Sequence, residues 1–302
     1  MKIKILITGG SGFLGSNFSK TLNLKNYNVT SILRTKKTRI SKIKGIKYVY
    51  CDLTNLKKIK KNINQNYDFV FNFIGNINHK NKLENIKSHF LSTKNLLKRL
   101  NKKYLKLFVQ IGSSLEYGKK KSPQTEKDRC NPISSYGKAK YLASKHIQKN
   151  LNNYIILRLY QVYGPNQKTD RLIPFVVKSC LSNKSFPCTS GNQQRDFLYV
   201  DDLIKLLLKI LKKKKINSDI YNVGYGKPEK VKKIIQFINK KTKFGTPEFG
   251  KIIMRKDEIN SLYPSIEKVK KEFNWKPQTN INVGISKTIN FYAKKNSRKT
   301  TS

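Results

Sequence analysis

The sequence predicts a doubly wound α/β protein, a parallel sheet with helices on both faces, followed by a smaller C-terminal α+β lobe. Three observations predict it. Short apolar runs alternate with helix-like segments through the first half, as expected of strands buried on both faces. A glycine-rich turn follows the first of those runs directly. Beyond Gly164-Pro165 the pattern loosens, and Pro174, Pro187, Pro228, Pro247, Pro264 and Pro277 punctuate shorter elements.

Taken in order, Ile3–Thr8, Asn28–Leu33, Lys47–Cys51, Phe69–Ile74, Leu107–Ser113 and Tyr154–Leu159 read as buried strands rich in Ile, Val and Phe. Between them, Leu14, Phe18 and Leu22 recur at helical spacing, and His89–Leu100 forms a second helical stretch. With 302 residues, the chain is roughly twice the ~100–150 residue mode of one domain. The expected division is a first lobe over 1–165 with return segments near 196–226, a second lobe over 166–295, and a polar tail, 296–302, that frays. No internal repeat is evident.

Lys and Arg number 64 against 17 Asp and Glu, a formal charge of +47. Such a balance points first to a polyanionic partner. Composition offers a plainer cause. Of the basic residues 55 are Lys and nine are Arg, while Ala occurs three times, the pattern of A/T-rich codons. Runs such as 57–61 and 212–215 lie where a solvated face belongs, and no aromatic-interleaved basic stripe accompanies them. Nucleic acid is therefore not the expected partner. No apolar run reaches the ~18 residues of a membrane span. Strand-like sequence begins at Lys2, so no leader is expected. Cys51, Cys130, Cys180 and Cys188 show no C-x-x-C spacing, consistent with a reduced, cytoplasmic chain. His79, His89 and His146 have no metal-ligand spacing, so no metal is expected.

The first strand runs into Thr8-Gly9-Gly10-Ser11-Gly12-Phe13-Leu14-Gly15 and then a helix. Glycine lets the backbone turn tightly and approach a pyrophosphate, and the helix N-terminus supplies free N–H donors. Gly9, Gly12 and Gly15 satisfy G-x-x-G-x-x-G, and Gly10, Gly12 and Gly15 satisfy G-x-G-x-x-G. Opening a helix after the first strand, that pattern predicts dinucleotide binding. A carboxylate for a free ribose 2′-hydroxyl is expected ~20 residues on. Here the first acidic residue is Asp52, and the second strand ends at Leu33-Arg34, followed by Lys36, Lys37 and Arg39. A guanidinium there suits a 2′-phosphate, which favours NADP(H) over NAD(H).

Ser113 ends the fifth run, and Tyr136 and Lys140 follow on a helix whose opening Asn131-Pro132 precedes Ser134 and Ser135 as caps. Tyr and Lys at i, i+4 share one face, and an ammonium beside a phenol favours phenolate. The bare pair carries no weight here. Sixteen Tyr and 55 Lys in 302 residues predict about three Tyr-x-x-x-Lys matches by chance, and three occur, at Tyr117, Tyr136 and Tyr141. Only Tyr136 opens a capped helix after a strand-end serine.

With these residues on the page, the sequence resembles the extended short-chain dehydrogenase/reductases, specifically the nucleotide-sugar epimerases, dehydratases and reductases. The resemblance covers nearly the whole chain. It rests on Thr8–Gly15, Asp52-Leu53, Ser113…Tyr117-Gly118, Tyr136…Lys140, Arg158…Val162-Tyr163-Gly164-Pro165, Arg195-Asp196-Phe197-Leu198-Tyr199-Val200-Asp201-Asp202, Tyr221-Asn222-Val223-Gly224 and Trp275-Lys276-Pro277. It implies a Rossmann lobe for NAD(P) and a C-terminal lobe for a nucleoside-diphosphate sugar. Ser113, Tyr136 and Lys140 are then the catalytic set. Gly9, Gly12, Phe13, Leu14, Gly15, Arg34, Asp52, Leu53 and Lys140 hold the cofactor, with Asp52 and Leu53 bracketing the adenine. Ser114, Gln161, Arg195 and Arg255 bind substrate, the two arginines gripping the diphosphate. A homodimer packed through the helix Tyr136–Gln148 is implied as well.

Departures narrow the chemistry. The family's 4,6-dehydratases carry an Asp-Glu pair directly after the catalytic Ser/Thr, where this chain has Ser114 and Leu115 and displaces Glu116 by one. Gln161 stands for a usual Asn, and His89 for a usual helix Asn, either as a proton relay or as a locally satisfied side chain. Asp201 and Asp202 read either as motif residues or as caps of the helix Leu203–Leu211. The stretch from Glu248 to Ile259 resembles CDP-abequose synthase-like reductases and related 4-epimerases. Both act by hydride transfer at C4 of a hexose, and the reading leans to an NDP-4-keto-6-deoxysugar reductase.

Overall fold

The computed structural model describes residues 2–36, 41–63, 65–76, 81–254 and 258–300, the side chains of 296–300 excepted. Six strands form in the first half: β1 (Ile3–Thr8), β2 (Tyr27–Leu33), β3 (Ile46–Tyr50), β4 (Phe69–Asn72), β5 (Leu107–Ser113) and β6 (Tyr154–Leu159). With the strand Asp219–Val223 beside β6, they make a seven-stranded sheet in which β1 lies between β4 and β2. Every pairing from β3 through β6 is parallel. Parallel neighbours need a crossover, and the helices Phe13–Thr21, Ser92–Arg99 and Ser135–Asn150 supply it for β1–β2, β4–β5 and β5–β6, while Leu56–Asn62 lies on the connection from β3 to β4. This is the doubly wound architecture that the alternating runs predict.

Two compact units divide the chain. The first comprises Met1–Lys120, Glu126–Leu159 and Leu207–Asn222. One of its cores packs Leu6, Ile32, Val70, Phe108 and Ile156 of the sheet against Ile59, Leu96, Leu97 and Ile147 of the helices. The apolar residues of each helix fall at 3–4 residue spacing, so a single stripe meets the sheet. The second unit comprises Lys121–Thr125, Tyr160–Leu206 and Val223–Ser302. Its strand Gln194–Tyr199 pairs with Pro228–Lys230, Ser261–Leu262 and Gln161–Tyr163. Its core joins Val177 and Cys180 of the helix Leu172–Leu181 to Ile234 and Ile238 of Val231–Thr242 and to Ile285. Within this unit Asp202 is fully buried and accepts hydrogen bonds from the backbone N–H of Gln278 and Thr279, 3.1 and 2.7 Å away. The Trp275 indole donates to its carbonyl. Asp202 thus pins the Trp275-Lys276-Pro277 turn as well as sitting in a helix's first turn.

Several elements differ from their sequence expectations, among them β4, the helix before β5 and the last helix. β4 ends at Asn72 rather than Ile74, because the chain turns away at Gly75, φ +148°. The helix expected over His89–Leu100 begins earlier and is wound unevenly: Lys82–Asn85 is α-helical, Ile86–Leu91 is a π-turn, and Ser92–Arg99 is α-helical again. The last helix runs Ile281–Thr300, carrying helical backbone into the stretch expected to fray. Among the described residues no helix is long and apolar enough to cross a membrane.

Candidate active site

The glycine turn is built as its sequence requires. Gly9 has φ +64°, and a Cβ there would stand 2.8 Å from the Phe73 carbonyl oxygen. At Gly15 a Cβ would stand 2.5 Å from the Gly9 oxygen, so a side chain at either position pushes the loop apart. The helix Phe13–Thr21 begins at Gly12, whose backbone is extended and which offers no side-chain cap. The amides of the first turn, Phe13, Leu14 and Gly15 among them, thereby remain donors for an external anion. That cradle fits a dinucleotide's pyrophosphate.

Arg34 is exposed immediately past β2, where the sequence expects it. Lys36 is exposed beside it, while Lys37 and Arg39 lie outside the described residues. Asp52 follows β3 and is half-buried; its Oδ1 accepts from the Thr54 amide (2.9 Å) and hydroxyl (2.8 Å), leaving Oδ2 outside both bonds. The Leu53 side chain packs in the core and its carbonyl accepts from Asn95 Nδ2 at 3.2 Å.

The three residues expected to be catalytic come together in the first unit. Ser113 closes β5 and Ser114 opens the short 3₁₀ turn that follows, both buried. The helix Ser135–Asn150 is capped by Ser134, whose Oγ accepts from the Gly137 amide at 3.0 Å. Gly137 lets that helix sit against the 3₁₀ turn, since a Cβ there would lie 2.4 Å from the Leu115 carbonyl oxygen. Lys140 is buried, and its Nζ donates to the Ile111 carbonyl at 2.7 Å, two residues before Ser113. It lies 6.0 Å from the centre of the Tyr136 ring. Burial pushes the Lys140 ammonium down to about 8, with Glu116 the opposing negative charge. Tyr117 takes no comparable place. It is buried, donates to Asn222 Oδ1 at 2.8 Å, and burial pushes its phenol up to about 12.

Ser113 is set in a capping box. Its Oγ accepts from the Leu115 amide (3.2 Å), and its own amide donates to Glu116 Oε1 (2.9 Å). With that lone pair used, the hydroxyl hydrogen is free to point outward. Glu116 does not face a substrate. Its other oxygen accepts from Arg158 Nε at 3.1 Å, and both side chains of the ion pair are buried.

His89 sits in the π-turn, buried, with Nε2 2.8 Å from the Asn76 carbonyl oxygen and its ring edge-on to Tyr136, centroids 4.9 Å apart. Gly75 makes room, because a Cβ there would fall 1.9 Å from His89 Cε1. Asn85, one turn earlier, donates to Ser135 Oγ at 3.0 Å. Sequence reading also passed over a buried polar ladder. Thr8, Asn72 and Gln110 stand in register on β1, β4 and β5. Thr8 Oγ1 donates to Asn72 Oδ1, and Asn72 Nδ2 donates to Gln110 Oε1 at 2.7 Å and to Thr93 Oγ1 at 3.1 Å. The available signal was a polar residue inside each of two otherwise apolar runs.

Of the substrate residues expected from the resemblance, Ser114 belongs to the first unit and Gln161 and Arg195 to the second. Gln161 is exposed on Gln161–Tyr163. Arg195 is buried and bonds the Gln194 carbonyl (2.7 Å) and Glu258 Oε1. Arg255 and Asp257 lie outside the described residues. Asp196 is a backbone anchor, accepting from the amides of Tyr225 and Gly226, and burial pushes its carboxyl up to about 7. Among the described residues no three His, Cys, Asp or Glu side chains gather as metal ligands would.

Comparison with known proteins bears on this arrangement. The family model described as NAD dependent epimerase/dehydratase matches residues 5–224. A putative UDP-glucose 4-epimerase of Methanocaldococcus jannaschii is 30% identical over 97% of this chain and 99% of its own. The CDP-abequose synthase of Salmonella muenchen is 27% identical over 95% and 97%. Among solved structures, the UDP-glucose 4-epimerase of Thermotoga maritima with UDP-glucose superposes with a TM-score of 0.87 at 22% identity, covering 99% of this chain and 100% of that one. The dTDP-glucose 4,6-dehydratase of Bacillus anthracis, in complex with NAD, gives 0.83 at 23% identity over 98% of each. At such identities these two structures speak for the fold.

Proposed function

This chain belongs to the NAD-dependent epimerase/dehydratase family, and from that membership we propose that it transfers hydride at C4 of a nucleoside-diphosphate hexose. One observation carries the reading: the buried Lys140 ammonium, with the Tyr136 ring beside it, bonds the backbone at the C-terminal end of β5, the strand that Ser113 closes. Lys140 favours the phenolate of Tyr136, and Tyr136 moves the proton at the C4 oxygen. Ser113 donates its hydroxyl hydrogen to that same oxygen and holds it in line. The bound dinucleotide supplies or accepts the hydride. The uncapped amides after Gly12 hold its pyrophosphate, and Asp52 Oδ2 accepts from the adenine amine. Arg195 exchanges Glu258 for the diphosphate of the sugar nucleotide, with Arg255 as its companion.

Arg34, exposed at the end of β2, inclines the reading to NADP(H) and therefore to reduction of an NDP-4-keto-6-deoxysugar. A redox-neutral 4-epimerase is the second reading, favoured by the 30% identity to the putative UDP-glucose 4-epimerase. Dehydration across C5 and C6 is not proposed, since both oxygens of Glu116 are engaged inside the fold. The deciding measurement begins with the purified protein. Stoichiometric, non-exchanging NAD together with conversion of UDP-glucose to UDP-galactose identifies an epimerase. NADPH consumption with an NDP-4-keto-6-deoxysugar identifies the reductase. Light scattering tests the accompanying proposal of a homodimer through Ser135–Asn150, on which Leu142 is exposed; a monomer removes it.

A further inference from the structure

In a chain with 17 acids against 64 bases, a fully buried carboxylate behind the candidate catalytic serine calls for an account. Glu116 is wholly enclosed. Its two oxygens are divided between the Ser113 amide and Arg158 Nε. Space is made for it by Gly112, where a Cβ would stand 2.7 Å from Oε1. Arg158 projects from β6 at the residue in register with Gly112, and its guanidinium lies over the Tyr117 ring, 4.4 Å from the centroid. Tyr117 is tied onward to Asn222, whose amide donates to Glu126 Oε1 at 2.7 Å. The pair is thus fixed from both sides. Buried ion pairs contribute little net stability against apolar replacements, so stability alone is a weak reason to keep this one.

We propose that Glu116, held by Arg158, is a positioning residue that fixes the Ser113 peptide and supplies the buried counter-charge of Lys140. The inference rests on the proposed role of Ser113, Tyr136 and Lys140. The titratable and charged groups gathered here are Lys140 and Tyr136 on the helix, His89 edge-on to Tyr136, Glu116 and Tyr117 on the turn, Arg158 on β6, half-buried Cys130, and Glu126 on the far side of Tyr117. Among these Glu116 is the carboxylate that acts on Lys140. Arg158 opposes its field at Cys130, while its peptide-side oxygen faces the Ile111–Ser113 backbone that Lys140 also bonds. Lys140 is held below the ordinary lysine range by burial, and Glu116 opposes that fall. Without the carboxylate, the ammonium is lost at a lower pH.

Two variants test this. Glu116→Gln removes the charge alone. The double variant Glu116→Gln with Arg158→Met removes both charges and keeps the volume, a replacement that buried pairs tolerate in folding. The first readout needs no substrate: ¹³Cζ-tyrosine NMR of the cofactor-loaded protein, with the Tyr136 signal assigned through Tyr136→Phe. The Tyr136 ring lies beside the Lys140 ammonium and its signal reports the charge there; either variant is expected to move the Lys140 midpoint seen in that signal down by half a pH unit or more. The second readout is turnover of UDP-glucose or, failing that, of a dTDP-4-keto-6-deoxyglucose. Here kcat falls about 10- to 100-fold with KM within about threefold, and the alkaline limb moves to lower pH. Unchanged midpoints in a folded variant overturn the inference. A wild-type protein inert towards both sugars, yet with shifted midpoints in the variants, overturns the proposed function instead and leaves the electrostatic role of Glu116 standing.

Discussion

At the residue scale, the proposed proton transfer is assigned to Tyr136 rather than to Tyr117, which shares its lysine spacing. Tyr117 is sealed inside and held up to about 12, while Tyr136 is half-buried beside Lys140. Tyr136→Phe is therefore expected to lower kcat by about 10²–10⁴-fold with dinucleotide affinity retained, read by single-turnover absorbance at the nicotinamide band. The pH profile follows from Lys140. Its proton-binding midpoint lies below the ordinary lysine value, at about 8, so the ammonium is present below that pH and lost above it. Turnover should accordingly decline as pH rises through about 8, and a profile flat to pH 10 would remove Lys140 from the mechanism. Much of this was legible in sequence, because strand end, cap and tyrosine spacing are local signals. The engagement of Glu116 was not. Its partner Arg158 is 42 residues away, and no local pattern states which acid will be buried.

Elements set how well those residues are held. The glycine turn was readable because each close approach forbids a side chain, a constraint written directly as composition. Gly15→Val drives the helix start away from Gly9 and is expected to weaken dinucleotide binding at least tenfold with the sheet intact, measured by fluorescence titration and far-ultraviolet circular dichroism. The polar ladder Thr8–Asn72–Gln110 crosses three strands, and its meaning depends on strand order rather than on any one strand. Replacing Asn72 with Leu leaves the Thr8 hydroxyl and the Gln110 carbonyl without their partner. A loss of about 1–3 kcal/mol in urea unfolding is expected for buried groups left unsatisfied. No loss would mean that these groups find other partners. The π-turn was equally hidden, since 3.6-residue periodicity describes 86–91 tolerably while missing one extra residue in the winding.

For the whole molecule, the +47 charge acts as a field rather than as a contact list. The proposed diphosphate-bearing substrate would be drawn to it over distances comparable to the Debye length, ~30 Å at 0.01 M salt and ~8 Å at 0.15 M. kcat/KM is expected to fall across that range with kcat little changed; independence from salt would show that the lysines do not steer substrate. Order along the chain has a different consequence. The two units are interleaved: the chain enters the second at Lys121, leaves it, enters again at Tyr160, and returns through Leu207–Asn222. No single cut separates them. A fragment ending at Leu159 would lack the strand Asp219–Val223 that borders β6, and would present β6 as a bare edge open to pairing with another chain. For this protein, a nick or a premature stop in the middle of the reading frame yields a sticky fragment and not a smaller working enzyme.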